Sequence, residues 1–250
     1  MSQSKWISVP KRNLHARMRL FCFPYSGAAA SIYYPWSSVL PETIEICPIQ
    51  YPGHGTRVGE SLIDSLPDMI PLIAQAIQTF VDKPFSIFGH SMGALLGFEL
   101  VRFLQKDRSP APEYLFVSGH NAPQLPDVSE PIHKLPDQQF IDRLRKLNGT
   151  PEDVLQNEEL RDLVLPIIRA DFKLSETYQY QYYEPLSCSL CACGGLSDNY
   201  ITRDGLDAWR EQTTGKFSLR MFPGDHFYLN DSRMLLLQVI ARELAQNNLA

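Results

Sequence analysis

Short apolar runs alternate along most of the chain with longer segments in which apolar residues recur at helical spacing. Six runs are bounded by proline, glycine or serine, as expected for strands buried on both faces of a parallel sheet. These runs cover residues 19–23, 44–50, 85–88, 114–117, 188–193 and 217–222. The helix-like segments cover residues 67–81, 92–105, 203–212 and 232–245. Strands that alternate with helices predict an α/β fold, with a mostly parallel central sheet flanked by helices.

The interval between Gly119 and Ser187 breaks this alternation. It contains no convincing strand, but amphipathic stretches at residues 135–147 and 158–173 predict helices. A helical insertion between two sheet strands predicts a lid, at approximately residues 123–186, over the sheet edge where open α/β sheets bind ligands. We therefore expect a single domain over residues 1–250 that carries one helical lid.

Composition and charge narrow the class of protein. The 250 residues can bury a sizeable core, and a net charge of −5 without a basic stripe disfavours a nucleic-acid partner. The apolar stretch at residues 234–240 is too short to span a bilayer, and residues 1–6 lack the apolar centre of a signal peptide. We expect a cytoplasmic protein that is not associated with a membrane, and a monomer.

The cysteine pattern indicates neither a disulfide framework nor a metal site. The chain has five cysteines, an odd number, and three of them cluster at Cys188, Cys191 and Cys193. A structural zinc site normally needs four ligands, and no second pair of ligands follows the cluster. We expect these cysteines to act as small apolar residues on a buried strand, and we expect no metal.

Ser91 lies at the centre of a pentapeptide, residues 89–93, that has glycine at both ends. The pattern G-x-S-x-G is weak alone, because glycine and serine are common in turns. Here a predicted strand precedes it and a predicted helix follows it, which is the context of a nucleophile elbow. Such a sharp turn exposes the serine hydroxyl and leaves little room for side chains two positions before and after it. We predict that Ser91 is a catalytic nucleophile.

A histidine and an acid should follow the serine in chain order on this fold. His226 comes after the last predicted strand, at the sheet edge where a general base must lie. Asp198 follows the preceding strand and emerges at the same edge. Asp225 competes by proximity, but a residue adjacent to His226 would have difficulty reaching its Nδ1. We predict that Asp198 orients His226 and stabilises its protonated form.

An oxyanion hole needs two N–H donors. The N–H of Met92, directly after the nucleophile, should supply one of them, and the loop after the first strand should supply the other. In that loop either Ser26 or Gly27 could be the donor.

Several segments resemble the type II thioesterases of polyketide and nonribosomal peptide synthesis, which are stand-alone editing enzymes of the α/β-hydrolase superfamily. They cover residues 20–27, 51–57, 88–94, 118–123, 165–172, 194–198 and 224–227. The resemblance implies hydrolysis of acyl groups from the phosphopantetheine arm of acyl or peptidyl carrier protein domains, with no cofactor beyond the arm of the substrate. It places Ser91, Asp198 and His226 on the family's triad, and Ser26 and Met92 on its oxyanion hole.

This sequence departs from the family pattern in two places. The family often reads His-Ala-Gly-Gly where this chain has Tyr-Ser-Gly-Ala at residues 25–28, and it often has arginine in place of His54. The sequence assigns no role to His54.

Two other functions use the same features. One is an acyltransferase or general carboxylesterase, because the motif does not determine whether water or an alcohol completes the reaction. The other is a non-catalytic binding module, against which the intact Ser91, Asp198 and His226 argue. The preferred acyl chain does not follow from the sequence.

Overall fold

A computed structural model describes residues 4–126 and 130–246. Residues 1–3, at the start of the N-terminal stretch that lacks the apolar centre of a signal peptide, and residues 127–129 of the predicted lid lie outside the described residues. The described residues form six strands, namely β1 (Met18–Phe23), β2 (Ile44–Pro48), β3 (Phe85–His90), β4 (Tyr114–Ser118), β5 (Ser189–Gly195) and β6 (Phe217–Phe222). They form one sheet in the order β2-β1-β3-β4-β5-β6, and every neighbouring pair is parallel. The predicted α/β class and its parallel sheet are confirmed.

Eight α-helices occur in the described part of the chain. They are α1 (Leu66–Ile77), α2 (Met92–Lys106), α3 (Asp137–Leu147), α4 (Glu152–Gln156), α5 (Glu158–Glu176), α6 (Arg203–Asp207), α7 (Tyr228–Asp231) and α8 (Arg233–Gln246). Short 3₁₀ segments lie at Ala30–Ser38, Gly55–Arg57, Gln78–Phe80, Ile132–Lys134 and Ala208–Gln212. None of these helices is long and apolar enough to cross a bilayer.

The sheet is buried on both faces because successive strand residues point to opposite sides. Phe21 and Ile87 belong to the core that packs against α1 and α2. Leu20 and Phe88 belong to a second core, which packs against α8 and the 3₁₀ segment Ala30–Ser38. This arrangement explains why the strands read as continuous apolar runs.

The predicted boundaries differ from the observed ones mostly at the ends. The helix expected over residues 67–81 ends at Ile77 and continues as a 3₁₀ turn, and the helix expected over residues 203–212 is likewise part α-helix and part 3₁₀. The sequence does not predict the segment Ala30–Ser38, because Pro35 and a weak apolar stripe give it no helical signature.

Helices α3, α4 and α5 lie between β4 and β5 in the chain, within the range 123–186 expected for the lid; we call this range the helical insertion. The helices pack on one another through an apolar cluster of their own, which includes Phe140, Leu144 and Ile168. The described residues between Ser118 and Ser189 add no strand to the sheet.

All five cysteines are buried and free, with Cys191 and Cys193 on β5. Within residues 4–126 and 130–246 there is no group of three or more histidine, cysteine, aspartate or glutamate side chains that could hold a metal ion.

Candidate active site

Ser91 occupies a strained turn between β3, which ends at His90, and α2, which begins at Met92. Its backbone has φ 54° and ψ −119°, a combination that non-glycine residues rarely adopt. The Ser91 N–H donates a hydrogen bond of 2.7 Å to the carbonyl of Ser118 on β4, which ties the turn to the sheet. The strained serine is therefore held at the carboxyl edge of the two central strands.

The two glycines of the pentapeptide are required by close backbone contacts. A Cβ on Gly89 would lie 2.0 Å from the carbonyl oxygen of Gly93, and a Cβ on Gly93 would lie 2.1 Å from the carbonyl oxygen of Phe23. Both contacts are with backbone atoms, which cannot move aside as a flexible side chain can. The G-x-S-x-G pattern thus follows from the packing of the turn against itself and against β1.

His226 and Asp198 meet at the same edge of the sheet. The imidazole Nδ1 lies 2.7 Å from Asp198 Oδ2, and the Asp198 side chain is fully buried. The second carboxylate oxygen of Asp198 accepts a 2.8 Å bond from the N–H of Tyr200. Because a carboxylate accepts, His226 Nδ1 carries a proton in this bond, which leaves Nε2 free to accept one.

The competing acid has a different role. Asp225 Oδ1 accepts the N–H of Phe227 at 2.8 Å, which is a local turn contact next to His226. The structure therefore pairs His226 with Asp198 and not with its sequence neighbour.

One cavity of about 740 Å³ joins these groups. Ser91, Met92, Ser26 and His226 line it, and Asp198 lies behind His226. The helical insertion contributes apolar wall residues, namely Leu144, Leu147, Ile168 and Phe172. The site thus lies between the edge of the sheet and the insertion.

The two candidates for the second oxyanion donor, the N–H groups of Ser26 and Gly27, differ in their hydrogen bonds. The N–H of Gly27 donates a 2.7 Å hydrogen bond to Asp171 Oδ2, so it points away from the site. The N–H groups of Ser26 and Met92 have no hydrogen-bond partner in the described part of the chain. Met92 is the first residue of α2, where backbone N–H groups lack partners within the helix. Ser26 and Met92 are therefore the two available donors.

A buried histidine–aspartate pair that sequence reasoning missed lies behind this loop. His54 Nε2 is 2.9 Å from Asp171 Oδ2, and Nδ1 is 2.9 Å from the carbonyl oxygen of Pro52. Burial opposes the charge on His54, but the hydrogen bond to Asp171 and its negative charge outweigh burial and raise the pKa of His54. Both residues lie in the segments that carry the family resemblance, and this was the only sequence signal that pointed to them.

His90, next to the nucleophile, packs beneath the site. It is fully buried, and its Nδ1 lies 2.8 Å from Ser118 Oγ, which in turn lies 2.6 Å from the hydroxyl of Tyr228. Its ring centroid is 5.0 Å from that of His226. Burial lowers the pKa of His90 well below its usual value. A neutral ring therefore supports His226 from below.

A parallel sheet, a serine in a strained strand-to-helix turn and a hydrogen-bonded His–Asp pair at the carboxyl edge define an α/β-hydrolase. The family model described as "Thioesterase domain" matches residues 18–244. The chain therefore belongs to the thioesterase family, and it is a hydrolase that acts on thioesters.

Individual relatives support this assignment over nearly the whole chain. The gramicidin S biosynthesis protein GrsT of Aneurinibacillus migulanus is 45% identical over 241 residues, which cover 96% of this chain and 94% of that protein. Thioesterase PikA5 of Streptomyces venezuelae is 37% identical, over 87% of this chain and 77% of its own length. The structure of the type II thioesterase BorB from the borrelidin biosynthetic cluster superposes with a TM-score of 0.88 at 34% identity, covering 98% of this chain and all of that one. The resemblance to type II thioesterases is confirmed.

Proposed function

We propose that this chain is a stand-alone editing thioesterase, which releases acyl groups from the phosphopantetheine arm of carrier protein domains in polyketide or nonribosomal peptide synthesis. The observation that carries the proposal is the cavity that Ser91 and His226 line together beneath the helical insertion. The relatives support the biosynthetic setting, since they include BorB and ClbQ, the latter from the colibactin NRPS/PKS pathway.

Acylation begins with a proton transfer. His226 Nε2 accepts the proton of the Ser91 hydroxyl, and Asp198 stabilises the resulting imidazolium through Nδ1. Ser91 Oγ attacks the thioester carbonyl carbon, and the C–S bond then breaks to give an acyl-enzyme and the phosphopantetheine thiolate. The thiolate takes the proton from His226 Nε2, so His226 is neutral again before water enters. A thiol has a pKa near 8.5, so the thiolate leaves more readily than an amine would.

The oxyanion forms on the carbonyl oxygen during attack. We assign its two hydrogen bonds to the N–H groups of Met92 and Ser26, because both lie at the cavity and the N–H of Gly27 is bonded to Asp171. Loss of one donor of this kind lowers the rate about 10²- to 10³-fold.

Deacylation repeats the steps with water. His226 accepts a proton from water, the hydroxide attacks the acyl-enzyme carbonyl, and the C–O bond to Ser91 breaks as His226 returns the proton to Oγ. Every step uses groups of the chain and water, and the product is a free acid together with the unloaded carrier arm.

The surroundings of the site support an acyl substrate. The apolar wall that the insertion provides suits an aliphatic or similar acyl group. Five free, buried cysteines suit a reducing compartment, so a cytoplasmic location is part of the same proposal.

The test compares the purified chain on carrier proteins loaded with acyl groups of increasing length and on simple oxygen esters of the same acids. We expect a higher kcat/KM for the carrier thioesters, and loss of turnover in Ser91→Ala with both substrates. Much faster hydrolysis of the oxygen esters would favour a general carboxylesterase. Transfer of the acyl group to an added alcohol in preference to water would favour an acyltransferase.

A further inference from the structure

We propose that His54 and Asp171 form a buried ion pair that positions the oxyanion loop, residues 24–28, against helix α5 of the insertion. The inference rests on the proposed function, because it concerns the donor that Ser26 supplies to the same reaction. Neither side chain needs to touch the substrate. Both act as positioning residues.

Asp171 joins three parts of the chain that are distant in sequence. Its Oδ2 accepts the N–H of Gly27 at 2.7 Å and lies 2.9 Å from His54 Nε2. Asp171 belongs to α5, Gly27 follows β1, and His54 follows β2. The Asp171 and His54 side chains are only 1% and 2% exposed. One carboxylate oxygen therefore connects the oxyanion loop, the loop after β2 and the insertion, away from water.

The hydrogen-bond partners of His54 favour a ring that is protonated at both nitrogens. Nδ1 lies 2.9 Å from the carbonyl oxygen of Pro52, which can only accept, so Nδ1 carries a proton. Asp171 Oδ2 accepts the backbone N–H of Gly27 and also faces Nε2, so in the proposed ion pair a single carboxylate oxygen accepts from both. In this arrangement Nε2 donates as well as Nδ1, which makes His54 the imidazolium partner of the proposed pair.

The charges around His54 are consistent with this state. Asp171 faces it from α5, while Arg57 and Tyr51 face it from its own loop. Burial and the positive charge of Arg57 oppose protonation, and Asp171 outweighs them, so the pKa of His54 is raised from 6.5. Breaking one side of such a pair leaves an uncompensated buried charge, so each partner depends on the other.

The pair acts on the oxyanion loop through Gly27. This residue has φ +79°, and a Cβ there would lie 2.8 Å from Cγ1 of Ile168, which is also on α5. The loop thus packs directly on the helix, and the bond to Asp171 fixes the orientation of the peptide group next to Ser26. A shift of the loop by about 1 Å would move the Ser26 N–H away from the oxyanion, and misplacement of this size can lower a rate about 10²-fold.

The first measurement needs no substitution. Nitrogen and proton NMR of the imidazole of His54 at pH 6.5, its ordinary pKa, should show the ring more than half protonated at both nitrogens. A predominantly neutral ring at that pH would overturn the proposal.

The second measurement uses three variants and a control. Asp171→Asn keeps the shape but removes the charge, His54→Gln keeps a donor without charge, and His54→Arg keeps the charge at every pH. The control is Asp162→Asn, which is also on α5 but whose side chain is 69% exposed. We expect Asp171→Asn to lower kcat about 10- to 100-fold with KM within about twofold, and Asp162→Asn to match wild type.

Two ligands separate positioning from general structural damage. An alkyl boronic acid becomes tetrahedral on Ser91 Oγ and requires the oxyanion hole, whereas a phosphopantetheine thioether of the same chain length lacks the reacting carbonyl. Asp171→Asn and His54→Gln should weaken the boronic acid about 10-fold or more and leave the thioether unchanged. Equal weakening of both ligands, or full wild-type kcat in Asp171→Asn, would refute the positioning role.

The pH profile gives an independent readout. The kcat of the wild type should decrease at alkaline pH, as the pH rises through the raised pKa of His54. In His54→Arg this decrease should be absent. An identical alkaline limb in both proteins would contradict the proposal. If Ser91→Ala stays active, the proposed function itself fails. If Ser91→Ala is inactive but the His54 and Asp171 variants behave as wild type, only the positioning proposal fails.

Discussion

Gly93→Ala is a sharp test of how the nucleophile turn is built. The new Cβ would lie 2.1 Å from the carbonyl oxygen of Phe23, whereas real Cβ contacts stay above 3.0 Å, so the backbone must separate by at least about 0.9 Å. That shift separates the first turn of α2 from β1 and moves the Met92 N–H relative to the loop that holds Ser26. Displacement of about 1 Å can lower kcat about 10²-fold, equivalent to about 2.7 kcal/mol in the activation barrier. Forced overpacking also lowers the free energy of unfolding by about 1–3 kcal/mol.

The assay is steady-state hydrolysis of an acyl-loaded carrier protein, together with urea unfolding of the same preparations. Gly59→Ala is the matched control, since a Cβ at Gly59 meets no atom within 4 Å and should change stability by less than about 0.5 kcal/mol. If Gly93→Ala retains the kcat and the unfolding free energy of the control, backbone contact does not require glycine at this position.

Three further predictions follow from other parts of the site. Asp198→Asn should lower kcat about 10⁴-fold, because the amide cannot hold the same His226 tautomer, while Asp225→Asn should change kcat only a few-fold. Equal losses of kcat in steady-state assays would contradict the pairing of His226 with Asp198. Burial depresses the pKa of His90 below 6.5, so its contribution to stability is present above that pH and is lost as the pH falls below it, by up to about 1.4 kcal/mol per pH unit. In urea unfolding, the free energy of unfolding of His90→Gln should therefore decrease less steeply with falling pH than that of wild type. Leu147→Trp fills part of the cavity and should lower kcat/KM for long acyl chains more than for acetyl. A uniform loss of kcat/KM over acyl chains of all lengths would show that Leu147 does not contact the acyl group.

The sheet could be predicted because strands buried on both faces leave continuous apolar runs, which glycine, proline and serine interrupt. The positions of Ser91, Asp198 and His226 followed from the order of elements, since the carboxyl ends of parallel strands meet at one edge. Their roles in catalysis stay predictions that the variants above test.

The contacts between distant segments could not be predicted. Asp171 lies 117 residues after His54, and no periodicity or spacing in either segment indicates that the two side chains meet. The choice between Ser26 and Gly27 stayed open for the same reason, because it depends on which backbone N–H the insertion engages. The 3₁₀ segment Ala30–Ser38 has no signature of its own and is stabilised by packing on the sheet.

Covalent catalysis by Ser91 is tested most directly by intact-protein and peptide mass spectrometry after rapid mixing with an acyl-loaded carrier protein. We expect a transient gain of one acyl mass on the peptide that contains Ser91, and no such gain in Ser91→Ala. Continued release of free acid without any acylated Ser91, or an acyl group on another residue, would contradict it.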